Sequence, residues 1–174
     1  MPAFTLNKKL FITFFLILMG IAFGISCLNF CERTGFSPRW IIDHYNGNSE
    51  SVHEETEYEY NEHVYQDFPK SYREILEITH VHAFMIPLMV FVMSRILSMT
   101  DIREGVKIMV YSTAFAGTVM NVSGPYLIRF KSGVFSLSLL ASYIVLGLCF
   151  ITCISLSLWV MWFKKTGRNV EYWL

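Results

Sequence analysis

The chain has 174 residues, enough for one domain; 53% are hydrophobic and 16% charged, and the mean hydropathy is +0.42. Soluble domains run at about 45–50% apolar and about 25% charged, so this balance argues against a soluble enzyme, a nucleic-acid binder or a disordered chain and for a polytopic membrane protein. The formal net charge of zero hides an asymmetry: residues 32–78 carry 11 acids and 4 bases, a net of −7, and the remainder carries 3 acids and 10 bases, a net of +7.

Residues 10–30 are apolar and uncharged, and about 20 such residues cross a hydrocarbon core as a helix. Lys8 and Lys9 precede them as in a signal peptide, but Gly24-Ile25-Ser26-Cys27 is a poor lipobox. The expectation is an uncleaved first span. Residues 31–70 are polar, acidic and rich in Tyr and His, and read as a loop with 46–66 irregular and Arg39–Ile42 at the interface. Pro69 ends the loop.

Ser71-Tyr72-Arg73-Glu74 fits a capping box, in which the serine oxygen and the glutamate carboxylate each take an otherwise unpaired N–H. It predicts a helix over 72–98 whose first turns project beyond the second span, with Pro87 kinking it. After Thr100, Asp101–Glu104 repeats the capping pattern. A third span is expected over 105–123, closed by Gly124-Pro125, with Tyr126–Ser132 as a loop. A fourth runs over 133–163, followed by the tail 164–174. The expected fold is an all-α, four-transmembrane-helix bundle in one domain. Lys8, Lys9, Arg95, Arg103, Lys107, Lys164, Lys165 and Arg168 then fall on one side, and the positive-inside rule makes that side cytoplasmic. Both termini lie inside, and the long acidic loop is extracytoplasmic.

His80 and His82 carry the main chemical signal. They open the second span, where ionisable residues are costly and often functional. Two residues along a helix differ by about 200°, so both imidazoles cannot bind one ion from a regular helix. Three readings follow. In the first, both rings are interfacial, bonded to water, headgroups or backbone, and the chain is a structural homo-oligomer or a subunit of a larger membrane assembly. In the second, one histidine is an axial ligand of a b-type haem in an electron-transfer subunit, with Glu77 or Thr79 orienting its other ring nitrogen. The opposite ligand is then Met120, a loop histidine (His44, His53 or His63), or another subunit's histidine. In the third, His82, Met85, Met89 and Met93 share a helix face suited to copper, with zinc as the alternative metal, in a metal-handling or transport protein. The methionines equally suit packing.

Glu54, Glu55, Glu57, Glu59 and Glu62 with His53 and His63 match no defined metal loop and read as a solvated face open to a cationic partner such as a small cytochrome. Cys27/Cys31 and Cys149/Cys153 read as packing residues, and no CxxCH haem-attachment motif is present. Gly20-Ile-Ala-Phe-Gly24 is a GxxxG that allows close helix approach. No Walker A, HExxH, GxSxG or Rossmann pattern occurs, so no catalytic residue is assigned, and no carboxylate sits within a span core.

The segment Phe68–Pro87, with its Thr79-His80-Val81-His82-Ala83-Phe84 core, and Gly124-Pro-Tyr-Leu-Ile128 resemble uncharacterised small bacterial inner-membrane proteins in which a T-H-x-H-x-F segment opens a span. The resemblance covers residues 35–130. It implies a class and a bacterial inner-membrane location with the acidic loop in the periplasm, and it implies no mechanism.

Overall fold

The computed structural model describes residues 5–48 and 68–163. Among these the chain is helical: α1 (Leu6–Thr34), α2 (Pro38–Asn46), α3 (Tyr72–Ser98), α4 (Glu104–Phe130) and α5 (Phe135–Trp162). Three of these, α1, α3 and α5, are long and apolar enough to cross a membrane.

The first helix outruns its apolar core 10–30 at both ends. It stops at Gly35, which takes the left-handed φ of 54° and donates its N–H to the Cys31 carbonyl, the stop for which glycine carries no Cβ penalty. Phe36 repeats that φ and sets its ring edge-on to Phe30 at 5.2 Å. The chain then turns into α2, which corrects the reading of 31–70 as one loop. Pro38 stands at the start of α2, where its missing N–H costs nothing. Ile41 and Tyr45 are buried while Trp40 is exposed, so α2 is a short amphipathic helix. Its apolar period covers fewer than three turns, too short to stand out among the polar residues around it. Residues 49–67, which hold most of the stretch read as irregular, and the tail 164–174 lie outside the described residues.

The capping box at the head of α3 is present: Glu74 N–H donates to Ser71 Oγ at 3.3 Å, and Ser71 N–H donates to Glu74 Oε2 at 2.6 Å. The helix passes through Pro87 without interruption. The second capping pattern does not operate in that way. Thr100 Oγ1 donates back to the Leu97 carbonyl at 2.6 Å, and the N-cap of α4 is Arg103, with no side-chain cap.

The reading that Gly124-Pro125 closes the third span is corrected: α4 runs one and a half turns further, to Phe130. Proline removes one helical hydrogen bond, but packing on either side keeps the helix in place. A Cβ on Gly124 would lie 2.7 Å from Leu139 Cδ1 and 3.2 Å from Leu139 Cβ, and Ile128 is buried against the same leucine. The last helix starts at Phe135 rather than 133, because Ser132 and Gly133 accept the first turn's N–H groups.

The four long helices alternate in direction. One end gathers Leu16 of α1, Met93 and Leu97 of α3, Val110 of α4 and Met161 of α5. The other gathers Phe30 of α1, Ile75 of α3, Ile128 of α4 and Leu139 of α5, together with Ile41 and Tyr45 of α2. Polar contacts hold the first end: Trp162 Nε1–H donates to Thr13 Oγ1 at 3.0 Å, and Lys9 Nζ lies 5.7 Å over the Trp162 ring. At the second end Lys70 N–H donates to the Tyr45 carbonyl at 3.0 Å, and Arg129 Nε–H donates to the Lys70 carbonyl at 2.8 Å.

α4 is the central element, packed on α2, α3 and α5. Its polarity is inverted relative to a soluble helix. Lys107, Thr118 and Asn121 are buried with Gly117 and Gly124, whereas Ile108, Met109, Phe115 and Val119 are exposed. Small residues inside let two backbones approach when lipid, not water, surrounds them. Lys107 Nζ donates to Glu104 Oε1 at 2.9 Å and to the Ser98 carbonyl at 3.4 Å, a cation at the carbonyl end of α3 where the helix dipole favours one.

Two outcomes test this packing. Gly124→Val is expected to cost about 1–3 kcal/mol by overpacking against Leu139, read as a lower unfolding temperature in detergent. Gly105→Ala, where an added methyl meets nothing within 4 Å, is expected to hold or raise it. Ser71→Ala is expected to cost about 1 kcal/mol at the head of α3, seen as faster amide exchange at Glu74 and Ile75.

Candidate functional site at the head of α3

The residues singled out around His80 share one stretch of α3 but not one surface. His80 is exposed and His82 half-buried, as their angular separation along the helix requires. His82 Nδ1 lies 2.7 Å from the Ile78 carbonyl one turn back. A carbonyl only accepts, so Nδ1 carries a proton, and in the neutral ring the lone pair is then on Nε2.

The group that orients His82 is thus the main chain at Ile78. Glu77 Oε1 instead receives Arg73 Nε–H at 3.1 Å, on the exposed side of the helix. Thr79 Oγ1 is buried without a hydrogen-bond partner. The methionine stripe divides by burial: Met93 is in the core with Leu16 and Phe150, Met89 packs on its edge, and Met85 is exposed. Met120 is half-buried on α4. Among the described residues no three His, Cys, Asp or Glu side chains gather as a metal site. The acidic loop residues and His53 and His63 lie outside the described residues.

Two features were not read from the sequence. The first is an open, apolar groove of about 610 Å³ between α3 and α4, running from Tyr72 and Tyr126 past Thr79 to Pro87 and Phe115. Its outer mouth carries an aromatic cluster, with Phe130 4.9 Å from Tyr126 and 6.0 Å from Tyr72. No local motif encodes a groove between two helices; the nearest signal is a tyrosine at the outer end of each.

The second is a buried polar link between α4 and α5. Asn121 Nδ2–H donates to Ser142 Oγ at 3.0 Å, and Ser142 Oγ–H donates to the Leu139 carbonyl at 2.6 Å. Asn121 is the one amide side chain of α4, and an amide in a mainly apolar helix is a signal for an interhelical bond. Next to this link Tyr143 stacks on Phe30 at 3.9 Å. Burial, reinforced by Tyr143, pushes the Tyr45 hydroxyl well above its ordinary range, and Arg33 opposes the shift. The Tyr45 ring therefore remains neutral.

The two histidines separate by experiment. His82→Ala loses the bond to Ile78 and is expected to cost about 0.5–1.5 kcal/mol, measured by thermal unfolding in detergent. His80→Ala is expected to stay within about 0.5 kcal/mol of the parent.

A family model described as a transmembrane helical domain matches residues 35–168. No curated protein matches the chain, and no solved structure does.

Proposed function

The chain belongs to this family of transmembrane helical domains, and from that premise we propose that it is a non-catalytic integral-membrane subunit that crosses the bilayer four times and joins a larger membrane assembly. The observation that carries the reading is the inverted polarity of α4. Phe115 is 70% exposed and Asn121 1%, an arrangement that hydrocarbon favours and water penalises. α4 falls outside the helices apolar enough to cross on composition; of its polar residues Lys107, Thr118 and Asn121 are buried, while Ser112 and Thr113 are exposed. With α4 across the membrane, the bases near Lys9, Arg103 and Lys107 share the cytoplasmic side, both termini are inside, and the acidic segment 49–67 is outside. With the resemblance at Phe68–Pro87, the membrane is a bacterial inner membrane.

Membership in an assembly is supported by α1. Only Leu16, Phe30 and Thr34 of its 29 residues are buried. A Cβ added at Gly20 would lie 3.7 Å from Ile154 Cδ1 of α5, whereas one at Gly24 would meet nothing within 4 Å, so half of the GxxxG is available to a neighbouring helix.

A second reading is favoured by one observation, the tautomer of His82. An imidazole whose Nδ1–H is held by a carbonyl presents Nε2 as a metal ligand. That suits an axial position on a b-type haem, or a copper or zinc ion, with the opposite ligand from Met120 or another subunit. In the subunit reading the same bond fixes the ring for packing alone.

In a background with the native cysteines replaced by serine, Arg103→Cys and Lys131→Cys are expected to react with an impermeant maleimide from opposite sides. Reaction from the same side removes α4 from the membrane and ends the four-crossing reading. A photoreactive residue at Leu18, exposed on α1, is expected to cross-link a partner in native membranes, and purely monomeric product would sink the assembly role. The absorption spectrum and metal content of the purified protein decide the second reading. A Soret band or bound metal that His82→Ala removes would establish it, and a featureless, metal-free protein would leave the subunit role standing.

A further inference from the structure

We propose that the groove between α3 and α4 holds one acyl chain of an anionic membrane lipid, with the headgroup at the basic rim formed by Lys70, Arg73, Arg129 and Lys131. The inference rests on the four-crossing reading for the depth of α4.

The depth of the groove follows from α3. Its first turns carry Arg73, Glu74 and Glu77, and no charge recurs until Arg95. The hydrocarbon boundary therefore lies near Ile78–Thr79. From Thr79 to Pro87 the helix rises about 12 Å, close to one leaflet of a core about 30 Å thick. The walls of this stretch are apolar, with Ala83 and Pro87 on one side and Phe115, Val119 and Val122 on the other. Tyr72 and Tyr126 line its mouth, at the level where amphipathic rings settle in a bilayer.

The rim is basic. Among the described residues there, four bases stand with two acids, a net of +2; Arg73 and Glu77 pair with each other, Glu74 is engaged in the capping box, and Lys70, Arg129 and Lys131 carry the remaining positive charge. Lys131 stands one turn above Leu127, which lines the groove, and is exposed. Arg129 is held in place through Nε by the Lys70 carbonyl. A phosphate above the two tyrosines would meet these cations.

The test is native mass spectrometry of the full chain released from mixed micelles containing equal phosphatidylglycerol and phosphatidylcholine. The parent is expected to retain one phosphatidylglycerol in preference to phosphatidylcholine. Arg73→Gln and Lys131→Gln are each expected to lower that preference about fivefold. Ala83→Trp and Val119→Trp fill the groove from opposite walls at lipid-facing positions and are each expected to abolish retention, with circular dichroism reporting that the helices persist. The proposal is overturned if the parent retains no lipid or retains both lipids equally. It is also overturned if retention survives in whichever groove-filling variant keeps its helicity. None of these readouts depends on sidedness, so failure here is distinct from failure of the Arg103 and Lys131 labelling.

Discussion

Between α4 and α5 the backbones come as close as side chains permit, and the other helices are arranged around that seam. At Gly117 an added Cβ would sit 3.1 Å from both Val145 and Leu146, and at Gly124 closer still to Leu139. A membrane offers little hydrophobic gain for bringing two apolar helices together, because lipid tails are as apolar as leucine. Association then depends on fitted van der Waals contact and on polar groups that find each other. The Asn121–Ser142 bond joins the helices between those two glycines. α3 docks on α4 and touches α5 as well, and α1 touches α5 and α2.

The two ends of the array combine apolar and polar contacts differently. At the end shared by Lys9, Lys107 and Trp162, the core of Leu16, Met93, Leu97, Val110 and Met161 is flanked by Lys9 over the Trp162 ring, between α1 and α5, and by Lys107 at the last carbonyls of α3. At the other end α2 closes over the helices with Ile41 and Tyr45. A Cβ on Gly133 would lie 2.9 Å from Ile42 Cδ1, so glycine there admits α2. The two chain segments flanking 49–67 are joined by Lys70 N–H and the Tyr45 carbonyl, and Arg129 ties that junction to α4. The segment 49–67, with a net charge of −7, therefore leaves and rejoins the fold at adjacent points.

The head of α3 belongs to both the polar rim and the apolar groove, and its residues divide accordingly. Arg73 and Glu77 pair on the exposed side, His82 turns back on its own helix, and Thr79 lines the groove with its hydroxyl oxygen buried. One helical stretch thus presents three chemistries in different directions. A cofactor, a lipid and a partner helix would each address a different one.

Apolar runs and one capping box made part of this legible in the sequence. The lengths of α1, α3 and α5 follow from uncharged stretches that only hydrocarbon accepts, and Ser71 with Glu74 marks where α3 begins, because both are local properties. Tertiary structure decided what depends on a neighbour. Pro125 reads as a helix end in isolation, yet α4 continues because Gly124 and Ile128 are clamped by Leu139. α2 is too short to announce itself and exists where Ile41 and Tyr45 find Phe30, Ile75 and Leu139 to cover. The methionine stripe shares a helix face by spacing, but Met93 is buried and Met85 is not, because neighbouring helices cover only one end of that face. The groove belongs to two helices at once, and no run of residues along either one encodes the space between them.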